Sequence, residues 1–441
     1  MSDVLLEQIK QVIVDGQAHH FKNASKRTLE ISVIPGKATI CIGVRRCGKS
    51  TYMDHIMQNL IKDGIDRKNI LHLDFFDDRL HALHHNDLDL VIKAYFSLYP
   101  NKKNSEKIYC FFDEIQEIKN WELFINRIMR TEDCQIYITG SSAKMLSKEI
   151  ATAMRGRALS WEMFPYSFLE FLTAREIMYD SPTTKNKLLA ANEFNEFMEI
   201  GGFPEVTNLT RQLRIKTHQE YFNTLIFRDL IERHDIANPK SVIDLAHFLI
   251  ENIASKHSIN RMHGYLQALQ HKVSKNTIGQ YLAWFEDAYF LFQVFIYDAS
   301  IKRAQANDKK IYCIDHSLVR SIASGILVNS GHLLENVIFT ALRNITEKIY
   351  YYRTTKSKEV DFIVLLANGA KMLVQVCESM REQKTYDREI TALTEAMQEL
   401  KLQTSIIVTK SEEKLLGVGS GEIRVMTAWQ FMLELEYLKE P

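Results

Sequence analysis

The sequence predicts an α/β chain of several domains, the first of them built on a parallel sheet. Three observations carry that expectation. The β-rich segment Ala38-Thr-Ile-Cys-Ile42 runs straight into Gly43-Val-Arg-Arg-Cys-Gly48-Lys49-Ser50-Thr51 and then into a helical pattern over residues 52–60. Two further β-rich runs, 108–112 and 135–139, end in polar residues, as parallel strands do where ligands bind. Finally, 441 residues, 46% of them hydrophobic, exceed what one core holds, so roughly two to four domains are expected.

Residues 43–51 form a complete G-x-x-x-x-G-K-S loop in its strand–loop–helix context. Gly43 and Gly48 let the backbone, through Arg46 and Cys47, curl its N–H groups around phosphate oxygens. Lys49 brings positive charge to the β- and γ-phosphates, and Ser50, followed by Thr51, offers a hydroxyl to Mg²⁺ at a helix N-terminus whose dipole favours anions. ATP and Mg²⁺ are the expected cofactors. The run 108–112 delivers Asp113 to the Mg²⁺ shell and sets Glu114 to polarise the attacking water. A strand-end cap is the plainer reading of an Asp-Glu pair, but its place behind the loop favours the catalytic one.

The run 135–139 ends in Gly140-Ser141-Ser142. Ser141, ahead of Ser142 or Thr139, is the choice for a hydroxyl that senses the γ-phosphate; Ser142 capping a helix near Ala143 is the alternative. Arg155-Gly156-Arg157 precedes another β-like run, 158–163. Arg157, ahead of Arg155, is the candidate for an arginine reaching a neighbouring copy's γ-phosphate, against the alternative of a surface or ion-paired side chain.

The formal net charge is zero, so nothing global draws the chain to nucleic acid or membrane. The six cysteines (Cys41, Cys47, Cys110, Cys134, Cys313, Cys377) have no zinc spacing. The start, MSDVLLEQIK, lacks a basic segment followed by an apolar one, and the densest apolar run, 289–296, is too short to span a bilayer. No membrane association and a reducing cytoplasm are expected.

GVRRCGKST, CFFDEIQEIKNWE, ITGSSAKML, the RGR turn and FPYSFLEFL together resemble bacterial and archaeal AAA-type ATPases whose C-terminal half is a domain of unknown function related to restriction-type nucleases. GGFPEV at 201–206 and FRDLIERHDI at 227–236 extend the resemblance over nearly the whole chain. It implies a five-stranded parallel sheet in an AAA-type core over 1–170, a helical lid region over 171–240, a winged helix over 241–318 and an α/β nuclease-like domain over 319–441.

Residues 241–254 carry apolar side chains at helical spacing, and Ser274 caps a second helix whose one face is Ile278, Leu282 and Phe285. Strand-like runs 290–297 and 310–314 form the expected wing. Between 255 and 281 stand Lys256, Arg261, Lys272 and Lys275 with no acid, and the wing adds Lys302, Arg303, Lys309 and Lys310. This is the best nucleic-acid signal in the chain; a solvated face, or a protein-binding winged helix, is the alternative.

Glu335 on a helix, Asp361 on a strand and Gln375-Val-Cys377 on the next resemble the PD-(D/E)XK nuclease core. There the glutamate, the aspartate and the first residue of E-x-K bind Mg²⁺, and the lysine assists water. Gln375 keeps a carbonyl oxygen but no charge, and Cys377 cannot replace a lysine, so the nuclease site is expected to be degenerate. The expected function is a homo-oligomeric ATPase acting on DNA, with a nucleotide-dependent switch that binds a protein partner as the alternative.

Overall fold

In the computed structural model the β-rich runs of the N-terminal half become neighbours in one parallel sheet. Its strands are β1 (Ala38–Gly43), β2 (Ile70–Asp74), β3 (Ile108–Asp113), β4 (Cys134–Ser141) and β5 (Ala158–Glu162), in the order β2-β3-β4-β1-β5. The structure describes residues 2–19, 21, 24–83, 87–141, 154–179, 183–324, 329–419 and 421–439. The chain divides into two units, Met1–Phe164 and Pro165–Pro441.

β1 is buried along its whole length between β4 and β5, which is why it reads as an unbroken apolar run. Parallel neighbours need crossovers, and the helices Lys49–Lys62, Asp89–Leu98 and Trp121–Thr131 supply them. Phe111 of β3 stacks on Tyr137 of β4 with ring centroids 4.5 Å apart. Because the strands run one way, the loops after Gly43, Asp113 and Ser141 leave from one edge of the sheet. β2, with Ile70-Leu71-His72-Leu73, is a short apolar run of the same kind and adds a strand beyond those expected from the motifs.

The second unit holds one nine-stranded mixed sheet: β6 (Lys256–His257), β7 (Leu291–Ile296), β8 (Lys309–Cys313), β9 (Ile349–Arg353), β10 (Glu359–Leu365), β11 (Lys371–Val376), β12 (Thr404–Thr409), β13 (Lys414–Val418) and β14 (Gly421–Thr427). Their order is β13-β14-β12-β11-β10-β9-β7-β8-β6. Helices Pro239–Glu251, Ile259–Ala268 and Lys275–Asp287 precede the antiparallel β7 and β8, and Ser274 Oγ accepts the Thr277 N–H at 3.1 Å as a cap. β7 pairs in parallel with β9, Phe295 opposite Tyr350, so the segments 241–318 and 319–441 share a sheet. Among the described residues no helix is long and apolar enough to cross a membrane.

The GGFPEV segment has a physical reason. The helix Thr184–Ile200 ends at Gly201, whose φ is +82°, and a Cβ there would lie 2.3 Å from Ser317 Oγ and 2.6 Å from Asp315 Oδ1. Asp315 accepts the Gly202 N–H at 2.7 Å while capping the helix His316–Ile322 through the Ser317 and Leu318 N–H groups. One carboxylate thus ties two stretches of chain that lie far apart in sequence. Gly201→Ala should lower stability by about 1–3 kcal/mol, seen as a shifted urea midpoint, because it adds overpacking to a left-handed backbone.

Candidate functional site

The first site is assembled where β1, β3 and β4 end. A Cβ on Gly43 would lie 2.1 Å from the Met163 carbonyl oxygen, and the Met163 N–H donates to Ile42 O at 2.8 Å. Only glycine lets the loop leave the sheet so close beside the chain that follows β5. Arg46 (φ 66°) and Gly48 (φ 100°) are both left-handed. Gly48 is the N-cap of the helix Lys49–Lys62 and has no side chain with which to cap its first N–H groups, an arrangement suited to phosphate. Arg27 clamps the loop from outside, donating to Cys47 O at 2.7 Å and to Phe164 O at 2.5 Å.

Lys49 is buried, and its ammonium donates to the carbonyls of Gly43 and Val44, both at 3.0 Å. The loop therefore holds its own cation in place. Ser50 is exposed and Thr51 half-buried at the helix start. One strand beyond β4, the buried Asp113 ends β3 and accepts a hydrogen bond from Thr139 Oγ1. Glu114 follows with φ 54°, a left-handed turn costing roughly 1–3 kcal/mol that swings it off the strand axis. Gln116 Nε2 donates to Glu114 Oε2, and the Glu114 N–H reaches Thr139 O at 3.2 Å.

Asp74 of β2 lies in register with Asp113. Burial, with the neighbouring Asp113 and Glu114 charges, holds its carboxyl above the usual range against the opposing Phe76 N–H. Hard oxygen donors at Ser50 and Asp113, a left-handed glycine opening the helix, and a buried lysine fit a Mg²⁺-nucleotide.

Thr139, ranked behind Ser141 in the sequence, is the β4 hydroxyl seen on Asp113. Ser141 pairs with Gly43 through the strand register, but its side chain, with Ser142 and Ala143, lies outside the described residues. Arg155 and Arg157 are exposed. Arg157 O accepts the Ala38 N–H at 2.8 Å, so Arg157 sits at the opposite end of β1 from Gly43. Five strand steps separate the two ends by about 16 Å, and Arg157 is not part of this chain's own loop site.

In the second unit Glu335, on the helix Ser330–Arg343, meets Asp361 of β10 around a residue read as part of a basic wing. That expectation is corrected: Lys310 of β8 is buried, its ammonium 2.8 Å from Asp361 Oδ1 and 2.9 Å from Glu335 Oε1. The strand turns this side chain inward, where carboxylates from two other elements hold it. Burial alone would push Lys310 down, but Asp361, Glu335, Tyr312 and Glu359 outweigh it and keep the ammonium charged. Burial, helped by Asp361, pushes Glu335 up to about 7.

The carbonyl oxygen that Gln375 keeps is engaged within the chain, Oε1 accepting the Asp361 N–H at 3.1 Å. Cys377 is buried, and burial with Glu389 and Glu412 pushes its thiol up to about 12. Of the four candidate DNA contacts, Arg261, Lys272 and Lys275 are exposed, and the Arg261 guanidinium lies over the Phe248 ring. Lys256 is half-buried and ion-paired with Glu359, an acid that sequence distance had hidden.

Family models match an AAA domain over residues 35–172, a domain of unknown function (DUF8612) over 191–326 and another (DUF4143) over 330–430. The chain is 35% identical over 418 residues to an uncharacterized protein, MJ1544, of Methanocaldococcus jannaschii, across 92% of this chain and 90% of that one. It is 28% identical over 341 residues to an uncharacterized protein of Haemophilus influenzae, across 77% and 82%. Among solved structures it is similar to the Aeropyrum pernix ORC1 protein in complex with DNA, with TM-score 0.30 and 10% identity over 74% of this chain and 92% of that one. It is also similar to Cdc6p from Pyrobaculum aerophilum, with TM-score 0.25 and 9% identity over 65% and 86%. Likeness at that level carries neither activity nor partner across.

Removing one partner from a buried ionic cluster costs about 3–5 kcal/mol. Lys310→Met should therefore be destabilised by that order in urea unfolding, and adding Glu335→Gln should recover part of it.

Proposed function

The chain belongs to the family of that archaeal protein, with an AAA domain ahead of two domains of unknown function, and from that premise we propose a Mg²⁺-dependent ATPase that works as a homo-oligomer and acts on DNA through its second unit. The observation that carries the reading is Lys49, buried and held by the loop's own carbonyls at the head of a glycine-capped helix, with Asp113 and Glu114 ending a strand of the same sheet. Lys49 and the loop N–H groups bind and orient the phosphates. Asp113, kept in place by Thr139, would hold the cation together with Ser50. Mg²⁺, when bound, offsets charge on the phosphate oxygens. Glu114, turned off the strand end and steadied by Gln116, takes the proton of the attacking water.

Arg157 belongs to a second copy's site in this reading, because about 16 Å of β1 separates it from its own loop. That requirement is what favours an oligomer. We read the helices and hairpin of 241–318 as a winged helix whose exposed Arg261, Lys272 and Lys275 meet phosphates, and 319–441 as a nuclease-like domain without its chemistry. The pairing of Lys256 with Glu359 and the burial of Lys310 remove two cations from that surface and favour the second reading, a nucleotide-dependent switch that binds a protein partner.

Lys49→Ala should abolish ATP binding in isothermal titration, while Glu114→Gln should bind normally and lose roughly 10²–10⁴ in phosphate release. Arg157→Ala should keep its nucleotide affinity and lose roughly 10³–10⁵ in turnover. Mixing it with Glu114→Gln protein should restore some activity through interfaces that pair an intact base with an intact arginine. On duplex DNA, Lys272→Ala with Lys275→Ala should flatten the salt dependence of affinity by about two units of slope. Salt-insensitive or absent binding would promote the protein-partner reading.

A further inference from the structure

Lys310 carries information that the ATPase reading does not use. Its ammonium is held by carboxylates from two other elements: Asp361 Oδ1 at 2.8 Å and Glu359 Oε1 at 3.3 Å from β10, and Glu335 Oε1 at 2.9 Å from the helix Ser330–Arg343. The rest of the shell is equally built. The Tyr312 hydroxyl donates to Glu335 Oε1 at 2.6 Å, and the Val376 N–H donates to Asp361 Oδ2 at 3.0 Å. The Lys256 ammonium closes the outer side on Glu359. Three carboxylates converge on one point, the kind of hard anionic charge that attracts a divalent cation. The point is taken by the chain's own cation, and among the described residues no group is arranged to hold a metal.

We infer that Lys310 is a built-in cation: its ammonium stands where these carboxylates would otherwise hold a divalent metal, and it closes the cluster to metal-dependent phosphodiester cleavage. Spacing decides against a cluster waiting for metal. Ammonium-to-oxygen distances of 2.8–3.3 Å exceed the roughly 2.0–2.1 Å of Mg²⁺ and the roughly 2.3–2.6 Å of Ca²⁺. With Lys310 in place the oxygens stand at ammonium distance, and a metal enters only where that ammonium is removed. Burial decides against a lysine that assists water beside a metal. Lys310 is 3% exposed, Glu335 and Asp361 7% each and Gln375 6%, so a phosphodiester has no approach to them. The neutral oxygen that would complete a metal shell, Gln375 Oε1, is turned onto the Asp361 N–H.

The inference concerns the second unit alone, and it is tested on the intact chain without nucleotide, so its failure is separate from failure of the ATPase reading. The probe is Mn²⁺, counted by the electron-paramagnetic resonance of the free ion. Wild type and Asp361→Asn should bind equal amounts. Lys310→Met should bind one more Mn²⁺ per chain, which adding Asp361→Asn removes, and Mn²⁺ should raise the Tm of Lys310→Met but not of wild type. If Lys310→Met does not fold, the comparison of wild type with Asp361→Asn decides, since it needs no change at Lys310. Mn²⁺ held by wild type and lost in Asp361→Asn would overturn the inference. So would Mn²⁺-dependent nicking of supercoiled DNA by wild type that Asp361→Asn abolishes, or a folded Lys310→Met that gains no metal.

Discussion

The close approach of Gly43 to the Met163 carbonyl is the constraint on which the first unit's chemistry depends. β5 lies against β1 and continues past it, so the chain at Met163 passes directly over the point where the phosphate loop begins. A side chain on residue 43 would collide with backbone and not with the end of a flexible side chain, so the chain beside the loop itself would have to shift. With that exit fixed, the turn through Arg46 and Gly48 starts the helix at Lys49, and the Lys49 ammonium folds onto the carbonyls of Gly43 and Val44. The same parallel order carries Asp113 and Ser141 to the edge from which the loop emerges.

Much of this site was legible in the sequence because local rules specify it. Gly43, Gly48, Lys49, Ser50, Asp113 and Glu114 each follow a short β-rich run or a fixed spacing, and burial on both faces of a parallel sheet produces those runs. Thr139 and Asp74 were harder to place, since their roles depend on which strands become neighbours. Asp74 reaches Asp113 only through the pairing of β2 with β3, and Thr139 only through that of β3 with β4.

In the second unit, long-range pairing outweighed local pattern. Lys310 reads as the first residue of a wing strand in a basic stretch, and its neighbours in sequence give no sign that Glu335 and Asp361 will enclose it. The acid-free stretch around Lys256 likewise ceases to be acid-free once β6 and β10 bring it to Glu359. These pairs also bear on domain organisation. Lys310 and Tyr312 lie in the stretch matched over 191–326, whereas Glu335 and Asp361 lie in that matched over 330–430. With the pairing of β7 and β9, the buried cluster joins the two stretches within one compact unit.

ATP titration of the Gly43→Ala chain beside wild type, in Mg²⁺, tests the central claim most directly. The account requires one saturable ATP per wild-type chain and none for Gly43→Ala, with the helical circular-dichroism signal of the two proteins unchanged. Undiminished binding by Gly43→Ala, or a wild-type chain that binds no ATP, would contradict it.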